Sequence, residues 1–359
     1  MCVPALHTCG MSDTTSIELT WDPAQVWEDY QPTPLLELPD LARRANVARV
    51  FVKVESGRPL GNFKALGGML AGLRALARIA DATSLPDLGH DSRTPLPRLI
   101  CASDGNHGLA VAAAAARARA NASIYLPVSV SSARAQRIEN LGAEVVWIDG
   151  TYDDAVGAAA EAAGRGKGLL IPDTTSDPRD MIVKDVMDGY ALMARELVAQ
   201  FREEGNAPPS HVFVQAGVGG LAAAMADGLM SAMQAPKRVL VVEPKSAACV
   251  AHALAVGHPV RIAGELLTSA TMLSCGLASA PALQVLLRHH ARAVLVDEDE
   301  LLAAPLALHE AAGPETTESG AAGLAGLLHL AANPALRAEH RLGANSNVLL
   351  IVTEGMVNA

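Results

Sequence analysis

Aromatic residues and basic charge are scarce in this chain, and both shortages argue against a nucleic-acid partner. Phe, Trp and Tyr make up only 3% of its 359 residues, which leaves few rings to stack on bases. Lys and Arg total 28 against 38 Asp and Glu, so the net charge is −10. A protein this acidic binds polyanions poorly, and we therefore expect no nucleic acid among its partners.

The sequence also lacks long apolar runs, a signal peptide and paired cysteines. No apolar run reaches the ~18 residues that a membrane helix needs, so we expect no membrane association. Residues 1–16 lack the basic and then apolar order of a signal peptide and are predicted to form a flexible tail. The five cysteines are scattered without a C-x-x-C pair, which is typical of reduced thiols in a cytoplasm and argues against a zinc site. We therefore expect no bound metal and a cytoplasmic location.

The sequence does contain short apolar segments that alternate with alanine-rich ones. Apolar runs at 47–54, 98–102, 211–215, 238–242 and 347–352 have the composition of strands that are covered on both faces. Helical segments separate them, and this order is typical of βαβ units with parallel strands. The predicted fold class is α/β, with two mainly parallel sheets flanked by helices.

The first candidate site segment is ESGRPLGNFKALGG at 55–68, where a strand ends and Lys64 opens a helix. The positive potential of a helix N-terminus favours the neutral form of a lysine amine. A neutral amine is the nucleophile that forms a Schiff base, so Lys64 is a candidate catalytic residue. The alternative is an ordinary surface lysine in the first turn of a helix.

The second segment is ASDGNHG at 102–108, between a predicted strand and a helix. Its backbone amides can face an anion such as a carboxylate, while Asn106 can donate to an oxygen and Asp104 can accept a proton. Alternatively, Asp104 caps the helix, and Gly105 and Asn106 are turn residues.

The third segment is QAGVGGL at 215–221, again between a strand and a helix. Glycines allow the backbone to close on a phosphate, and the helix N-terminus supplies amides and positive potential. The spacing does not match the P-loop of nucleoside-triphosphate enzymes. A dinucleotide site is an open alternative, with Glu243 as the acidic residue expected about 20 positions further on.

The fourth segment ends the apolar run VLLIV with Thr353, whose hydroxyl could bond a ring nitrogen or could mark an ordinary strand end. All four segments follow predicted strands, and ligands bind at that edge of open α/β sheets. A lysine nucleophile, a carboxylate loop, a phosphate loop and a hydroxyl are the parts that a pyridoxal-phosphate enzyme needs.

The same segments carry a resemblance to a known family. From about Tyr30 to Gly355 the chain resembles the fold-type II pyridoxal-phosphate enzymes (the tryptophan synthase β-like family) and, within them, the diaminopropionate ammonia-lyases. The matching stretches are YQPTPL at 30–35, GNFKALGG at 61–68, SDGNHG at 103–108, QAGVGGLA at 215–222 and VTEG at 352–355.

Three stretches depart from the family pattern. The turn before the lysine, in ESGRPLGNFK at 55–64, is one residue shorter than in the family. DTTSDPR at 173–179 lacks the aromatic residues of its counterpart and has Arg179 in place of a tyrosine, and CGLASAP at 275–281 differs from A-G-L-x-C-G-E. Arg179 could bind a second carboxylate or phosphate on the substrate, or it could form a surface salt bridge.

The resemblance implies a role for each matching residue. Lys64 would hold pyridoxal phosphate and act as the base at the substrate Cα, with Asp104 as a second base. Asn106 would bond the pyridine 3′-oxygen, and Thr353 would meet the pyridine nitrogen. The substrate carboxylate would be received by Ser103, Asp104, Gly105 and His107, and the cofactor phosphate by Gly217, Val218, Gly219 and Gly220.

The implied reaction is α,β-elimination on a small amino acid, which releases a 2-oxo acid and ammonia. With 2,3-diaminopropionate the products would be pyruvate and two ammonia. The alternative within the superfamily is a serine/threonine-type or β-hydroxy amino acid dehydratase. More remote alternatives are a β-replacing synthase, an NAD-dependent oxidoreductase and a catalytically silent α/β binding protein.

The resemblance also implies a domain organisation. A large cofactor-binding domain would comprise 17–68 and 167–359, and a small mobile domain would comprise 69–166. Closure of the small domain would exclude water from the reacting atoms. Family members are commonly homodimers, so a homodimer is expected here.

Overall fold

A computed structural model describes residues 23–27, 29–90, 95–103 and 105–356 of the chain. The predicted tail at 1–16 and the candidate base Asp104 lie outside the described residues.

The strands of the described residues form two sheets. Their bounds are β1 Leu35–Glu37, β2 Arg49–Val54, β3 Leu99–Ala102, β4 Ala122–Pro127, β5 Glu144–Ile148, β6 Leu169–Leu170, β7 His211–Gln215, β8 Arg238–Pro244, β9 Arg292–Val296 and β10 Asn347–Val352. One sheet has the order β1-β2-β10-β7-β8-β9 and the other the order β5-β4-β3-β6. Only β1 pairs antiparallel, with β2, among these strands. The predicted fold class is confirmed.

Helices connect the strands and cover both sheets. Their bounds are α1 Pro39–Ala45, α2 Lys64–Ala80, α3 Asp87–His90, α4 Asn106–Arg117, α5 Ser132–Glu139, α6 Tyr152–Gly164, α7 Met181–Glu203, α8 Gly220–Leu229, α9 Cys249–Val256, α10 Ala280–Arg288, α11 Glu298–Glu310, α12 Glu318–Ala332 and α13 Pro334–His340. Across the described part of the chain, none of them is both long enough and apolar enough to cross a bilayer.

The six-stranded sheet is buried on both faces, which explains its continuous apolar strands. Successive side chains of a strand point to opposite faces. Phe51 and Leu349 therefore join the apolar cluster that includes α7 and α8. Their neighbours Val50 and Leu350 join the cluster that includes α1, α11 and α12.

The four-stranded sheet is covered mainly by α4 and α6. Its last strand, β6, lies at Leu169–Leu170, so this sheet extends past the boundary predicted at residue 166. The division into a large and a small domain stays a prediction.

Helix α2 connects the two sheets, because it packs against α4 on one side and α7 on the other. Glycines permit this close approach. A Cβ at Gly67 would lie 2.5 Å from the Tyr190 ring, and one at Gly72 would lie 2.7 Å from the Ala114 Cβ. Lys64, the first residue of α2, is thereby fixed between the sheets.

Candidate active site

Most of the predicted site residues meet in one pocket at the carboxyl ends of strands from both sheets. Lys64 opens α2, the loop from Ser103 follows β3, the glycine loop follows β7, and Thr353 follows β10. The predicted residues that line the pocket are Lys64, Ser103, Gly105, Asn106, His107, Gly217, Val218, Gly219, Gly220 and Thr353. Their individual roles stay predictions.

Lys64 forms an ion pair with Asp173, whose side chain is only 9% exposed. Burial opposes the charge on Lys64, but the surrounding groups, with the Asp173 carboxylate first among them, together outweigh burial and raise the pKa of the lysine. Burial also opposes the charge on Asp173, but Lys64, followed by His107, outweighs it together with hydrogen bonds and lowers the pKa of Asp173 to about 2. The Asp173 carboxylate therefore opposes the neutral amine that the helix N-terminus is predicted to favour, because a carboxylate in contact acts more strongly than the partial charge of a helix end.

Ser103 caps the start of α4. Its Oγ accepts hydrogen bonds from the amides of Gly105, at 2.9 Å, and Gly108, at 2.8 Å. Gly105 has a φ of +135°, a conformation that favours glycine. Among the described residues, the amides of Asn106 and His107 donate to no protein acceptor. These amides, together with the hydroxyl hydrogen of Ser103, are therefore left to receive a carboxylate at the N-terminus of the helix.

Asn106 is held by Glu354, a buried carboxylate that the predicted set does not contain. The Asn106 side-chain amide donates to Glu354 Oε2, and the Thr317 hydroxyl donates to Oε1 at 2.5 Å. Glu354 is only 2% exposed. These contacts fix the orientation of the Asn106 amide at the pocket wall.

His107 is buried beside the same loop and is neutral. Burial is the main cause that lowers the pKa of His107. Its Nε2 lies 2.8 Å from the carbonyl oxygen of Ile171, so Nε2 carries the hydrogen and donates. Its Nδ1 is buried and has no partner among the described residues. A neutral, fixed imidazole therefore supports the loop and adds no charge to the pocket.

The glycine loop has the features of a phosphate site. Gly219 has a φ of +97°, and α8 begins at the next residue. Among the described residues, the amides of Gly217, Val218 and Gly219 donate no hydrogen bond to the protein. Three free amides at a helix N-terminus form a site for an anion such as a phosphate.

Thr353 lines the pocket, and its hydroxyl is available as a hydrogen-bond donor there. Gln215 Nε2 lies 3.1 Å from Thr353 Oγ1 and also faces three backbone carbonyl oxygens. Because Nε2 carries only hydrogens, it cannot accept a hydrogen bond from the Thr353 hydroxyl. The hydroxyl hydrogen of Thr353 is thus left for another acceptor. An unprotonated ring nitrogen would fit that position.

Glu243 is not available to bind a ribose. Its carboxylate accepts the amides of Val250, at 2.8 Å, and Ala251, at 2.7 Å, at the start of α9. Burial raises the pKa of Glu243 to about 8, although the two amide hydrogen bonds act in the opposite direction. The acidic residue considered for a dinucleotide site is therefore a buried helix cap, which disfavours that alternative.

Arg179 does not reach the pocket. Its side chain is 91% exposed, and its Nε lies 3.8 Å from Asp177 Oδ1. The structure places it as the surface salt bridge rather than as a substrate ligand.

Several polar residues that line the pocket are absent from the predicted set, among them Asp173, Tyr190 and Glu354. Asp173 and Glu354 each closely follow a short apolar run, and that was the available signal for both. Tyr190 lies inside α7 and packs on Phe63, with 5.0 Å between ring centroids. No local pattern distinguishes it from an ordinary core residue.

Comparisons with known proteins agree with this geometry. The sequence pattern of the family described as pyridoxal-phosphate dependent enzyme matches residues 26–354. Diaminopropionate ammonia-lyase of Escherichia coli K12 is 34% identical over 346 residues, which are 91% of this chain and 85% of that protein. Biosynthetic L-threonine dehydratase of Haemophilus influenzae is 30% identical over 310 residues, which are 85% of this chain and 53% of that protein.

A solved structure is also similar over nearly the whole chain. It is the crystal structure of diaminopropionate ammonia lyase from Escherichia coli in complex with an aminoacrylate-PLP azomethine reaction intermediate. The match has a TM-score of 0.82 and 31% sequence identity, and it covers 94% of this chain and 87% of that chain.

Proposed function

The chain belongs to the family of pyridoxal-phosphate-dependent enzymes, and on that basis we propose that it catalyses α,β-elimination on 2,3-diaminopropionate. The family membership confirms the expected cofactor and the fold-type II resemblance. Elimination would yield a 2-oxo acid and ammonia. The ammonia-lyase relative supports this choice over a threonine dehydratase, since it is more similar and is matched over more of its length.

The residues of the pocket fit pyridoxal phosphate at both ends. The free amides of Gly217, Val218 and Gly219 would hold the phosphate, and Lys64 would form the covalent bond. Thr353 would donate to the pyridine nitrogen, and Asn106 would face the ring oxygen. The bound cofactor supplies an electron sink for charge that develops at the substrate Cα.

The chain's own residues would then position the substrate and move its proton. The free amides of Asn106 and His107 would receive the carboxylate. The Lys64 amine would take the Cα proton, and Asp173 beside it would stabilise the resulting ammonium. Asp104, in the same loop as Asn106, is the proposed second base for the other enantiomer.

The Asp173 carboxylate is the observation that carries the choice of substrate. Its partner in the structure is the Lys64 ammonium. Bonding of the cofactor to Lys64 would remove the free ammonium from beside Asp173, and a carboxylate only 9% exposed would lack that partner. An unpaired buried charge is costly. The β-ammonium of 2,3-diaminopropionate would replace the missing cation, whereas the hydroxyl of serine or threonine would not.

The test compares the turnover of three amino acids by the wild type, by an Asp173 variant and by a control variant. We expect 2-oxo acid release from L-2,3-diaminopropionate to exceed that from L-serine and L-threonine in kcat/KM. Asp173→Asn should lower kcat/KM for the diamino acid more than for serine. Asp177→Asn, an exposed carboxylate in the same segment, is the matched control. Preferential turnover of a hydroxy amino acid by the wild type would instead support the dehydratase alternative.

Three further expectations are part of the proposal. We propose the large and small domains at 17–68 with 167–359 and at 69–166, with the pocket between them. Contacts of Asn106 with Glu354 and of Asp153 with Arg261 connect the two parts. We also propose a cytoplasmic homodimer. Light scattering on the purified holoenzyme would test the dimer.

A further inference from the structure

A second cavity adjoins the first pocket at Asn106 and Glu354. It has a volume of about 190 Å³ and is lined by Ser56, Gly61, Asn106, Arg137, Glu354, Gly355 and Met356. One water needs only about 15 Å³ of such a cavity, so this one can hold a small organic molecule. It shares Asn106 and Glu354 with the first pocket.

The cavity contains a carboxylate that no cation pairs with. Glu354 is 2% exposed, and among the described residues the donors to its side-chain oxygens are the neutral groups of Asn106 and Thr317. No lysine or arginine of the described residues lies within 4.0 Å of it. A buried charge in this state is stabilised when a cation binds beside it.

The same cavity contains a cation that no carboxylate pairs with. Arg137 is half-buried on α5, and its Nη2 donates to the carbonyl oxygen of Leu60 at 2.6 Å. Within the described residues, no carboxylate lies within 4.0 Å of its guanidinium. Burial is the first cause, and repulsion from Arg134 the second, that lower the pKa of Arg137, while Glu354 acts in the opposite direction. The charges of Arg137 and Glu354 thus attract each other across the cavity, although the two side chains form no ion pair.

Glycine at two positions keeps the space between these charges open. Gly61 has a φ of +71°, and a Cβ there would lie 3.7 Å from Arg137 Nη2. A Cβ at Gly355 would lie 3.2 Å from the Ser56 Cβ. Side chains at these positions would enter the region beside the guanidinium and narrow the cavity.

We propose that this cavity is a second binding site for a free amino acid zwitterion, whose carboxylate pairs with Arg137 and whose ammonium pairs with Glu354. Arginine suits a carboxylate because its planar fork makes two parallel hydrogen bonds. A ligand with both charges satisfies both unpaired groups at once, which an inorganic anion or a simple amine does not. The proposal does not depend on which amino acid the catalytic pocket transforms.

The experiment measures how many glycine molecules the holoenzyme binds. Glycine has no β-substituent and so cannot undergo β-elimination. Equilibrium dialysis counts all bound glycine, while a change in cofactor absorption reports only glycine in the catalytic pocket. We expect two per chain in the wild type and one in Arg137→Gln, with the absorption change kept in both. Arg165→Gln, an exposed arginine paired with Glu161, is the control and should bind two.

A conservative variant and two singly charged ligands test whether the second site recognises both charges of glycine. Arg137→Lys keeps the charge but loses the fork, so its second site should bind glycine about tenfold more weakly. Acetate and methylammonium, each with one of the two charges, should also bind at least about tenfold more weakly than glycine. One glycine per chain in the wild type would overturn the proposal, as would two in Arg137→Gln. Acetate or phosphate binding as tightly as glycine would reveal a simple anion site instead. Failure of diaminopropionate turnover would leave these counts unaffected.

Discussion

Replacing Asp173 by Asn should speed the loading of cofactor into the apoenzyme. Forming a Schiff base requires the neutral amine of Lys64, and the Asp173 carboxylate raises the pKa of that amine. Asparagine removes the negative charge with little change in shape. Burial still lowers the pKa of Lys64, but the Asp173 charge that raised it is gone. The pKa of the lysine therefore falls, and the fraction of neutral amine rises.

The size of the effect follows from the carboxylate. The pKa of Asp173 falls from its ordinary 3.8 to about 2, which corresponds to about 2 kcal/mol of net stabilisation of its charge, mostly by Lys64. Loss of a similar amount at the lysine would increase the neutral amine about 10-fold to 100-fold below its pKa. The loading rate at neutral pH should increase by a comparable factor.

The assay mixes apoenzyme with excess pyridoxal phosphate and follows the Schiff-base absorption band with time across a range of pH. The rate of the wild type should rise up to higher pH than that of Asp173→Asn, because its lysine titrates later. Asp177→Asn, whose carboxylate is exposed and lies beside Arg179, should load at the wild-type rate. An unchanged or slower rate in Asp173→Asn would refute the reasoning.

Three other substitutions test separate parts of the structure. Gly219→Ala must adopt a φ of +97° and should weaken binding of the cofactor phosphate, measured as Kd by absorption titration; an unchanged Kd would argue against the loop as the phosphate site. Glu196→Ala removes the carboxylate that contacts the buried Lys53 at 2.6 Å and Arg58 at 2.8 Å. It should lower the free energy of unfolding by about 3–5 kcal/mol in urea denaturation, and a loss under about 1 kcal/mol would contradict the network's role. Glu243 has a pKa raised from 4.5 to about 8, so its contribution to stability is present below pH 4.5 and is lost as pH rises through 8. Glu243→Gln should flatten that dependence in thermal unfolding, and an unchanged slope would count against it.

The sheet strands are predictable because their signal is local. The apolar run at 347–352 coincides with β10, and the run at 211–215 coincides with β7. Helix starts are harder to place, since they depend on caps. Helix α6 begins at Tyr152 because Thr151 and Asp154 form a capping box, and an apolar pattern alone starts it later, at about Ala155.

Long-range electrostatics account for most of what the sequence does not reveal. Lys64 is recognisable from its position at a strand end, but its protonation is set by Asp173, 109 positions away. Asn106 is recognisable in its loop, yet it is oriented by Glu354, 248 positions away. The place of Arg179 is likewise visible only in three dimensions, where its side chain is exposed beside Asp177 and does not line the pocket.

The products formed from 2,3-diaminopropionate test the central claim most directly. Purified holoenzyme would be incubated with the L-enantiomer, and pyruvate, ammonia and remaining substrate would be measured at several times. Elimination predicts one pyruvate and two ammonia for each substrate consumed, with no turnover in Lys64→Ala. One ammonia per substrate, a product that retains the β-amino group, or turnover that persists without Lys64 would contradict the account.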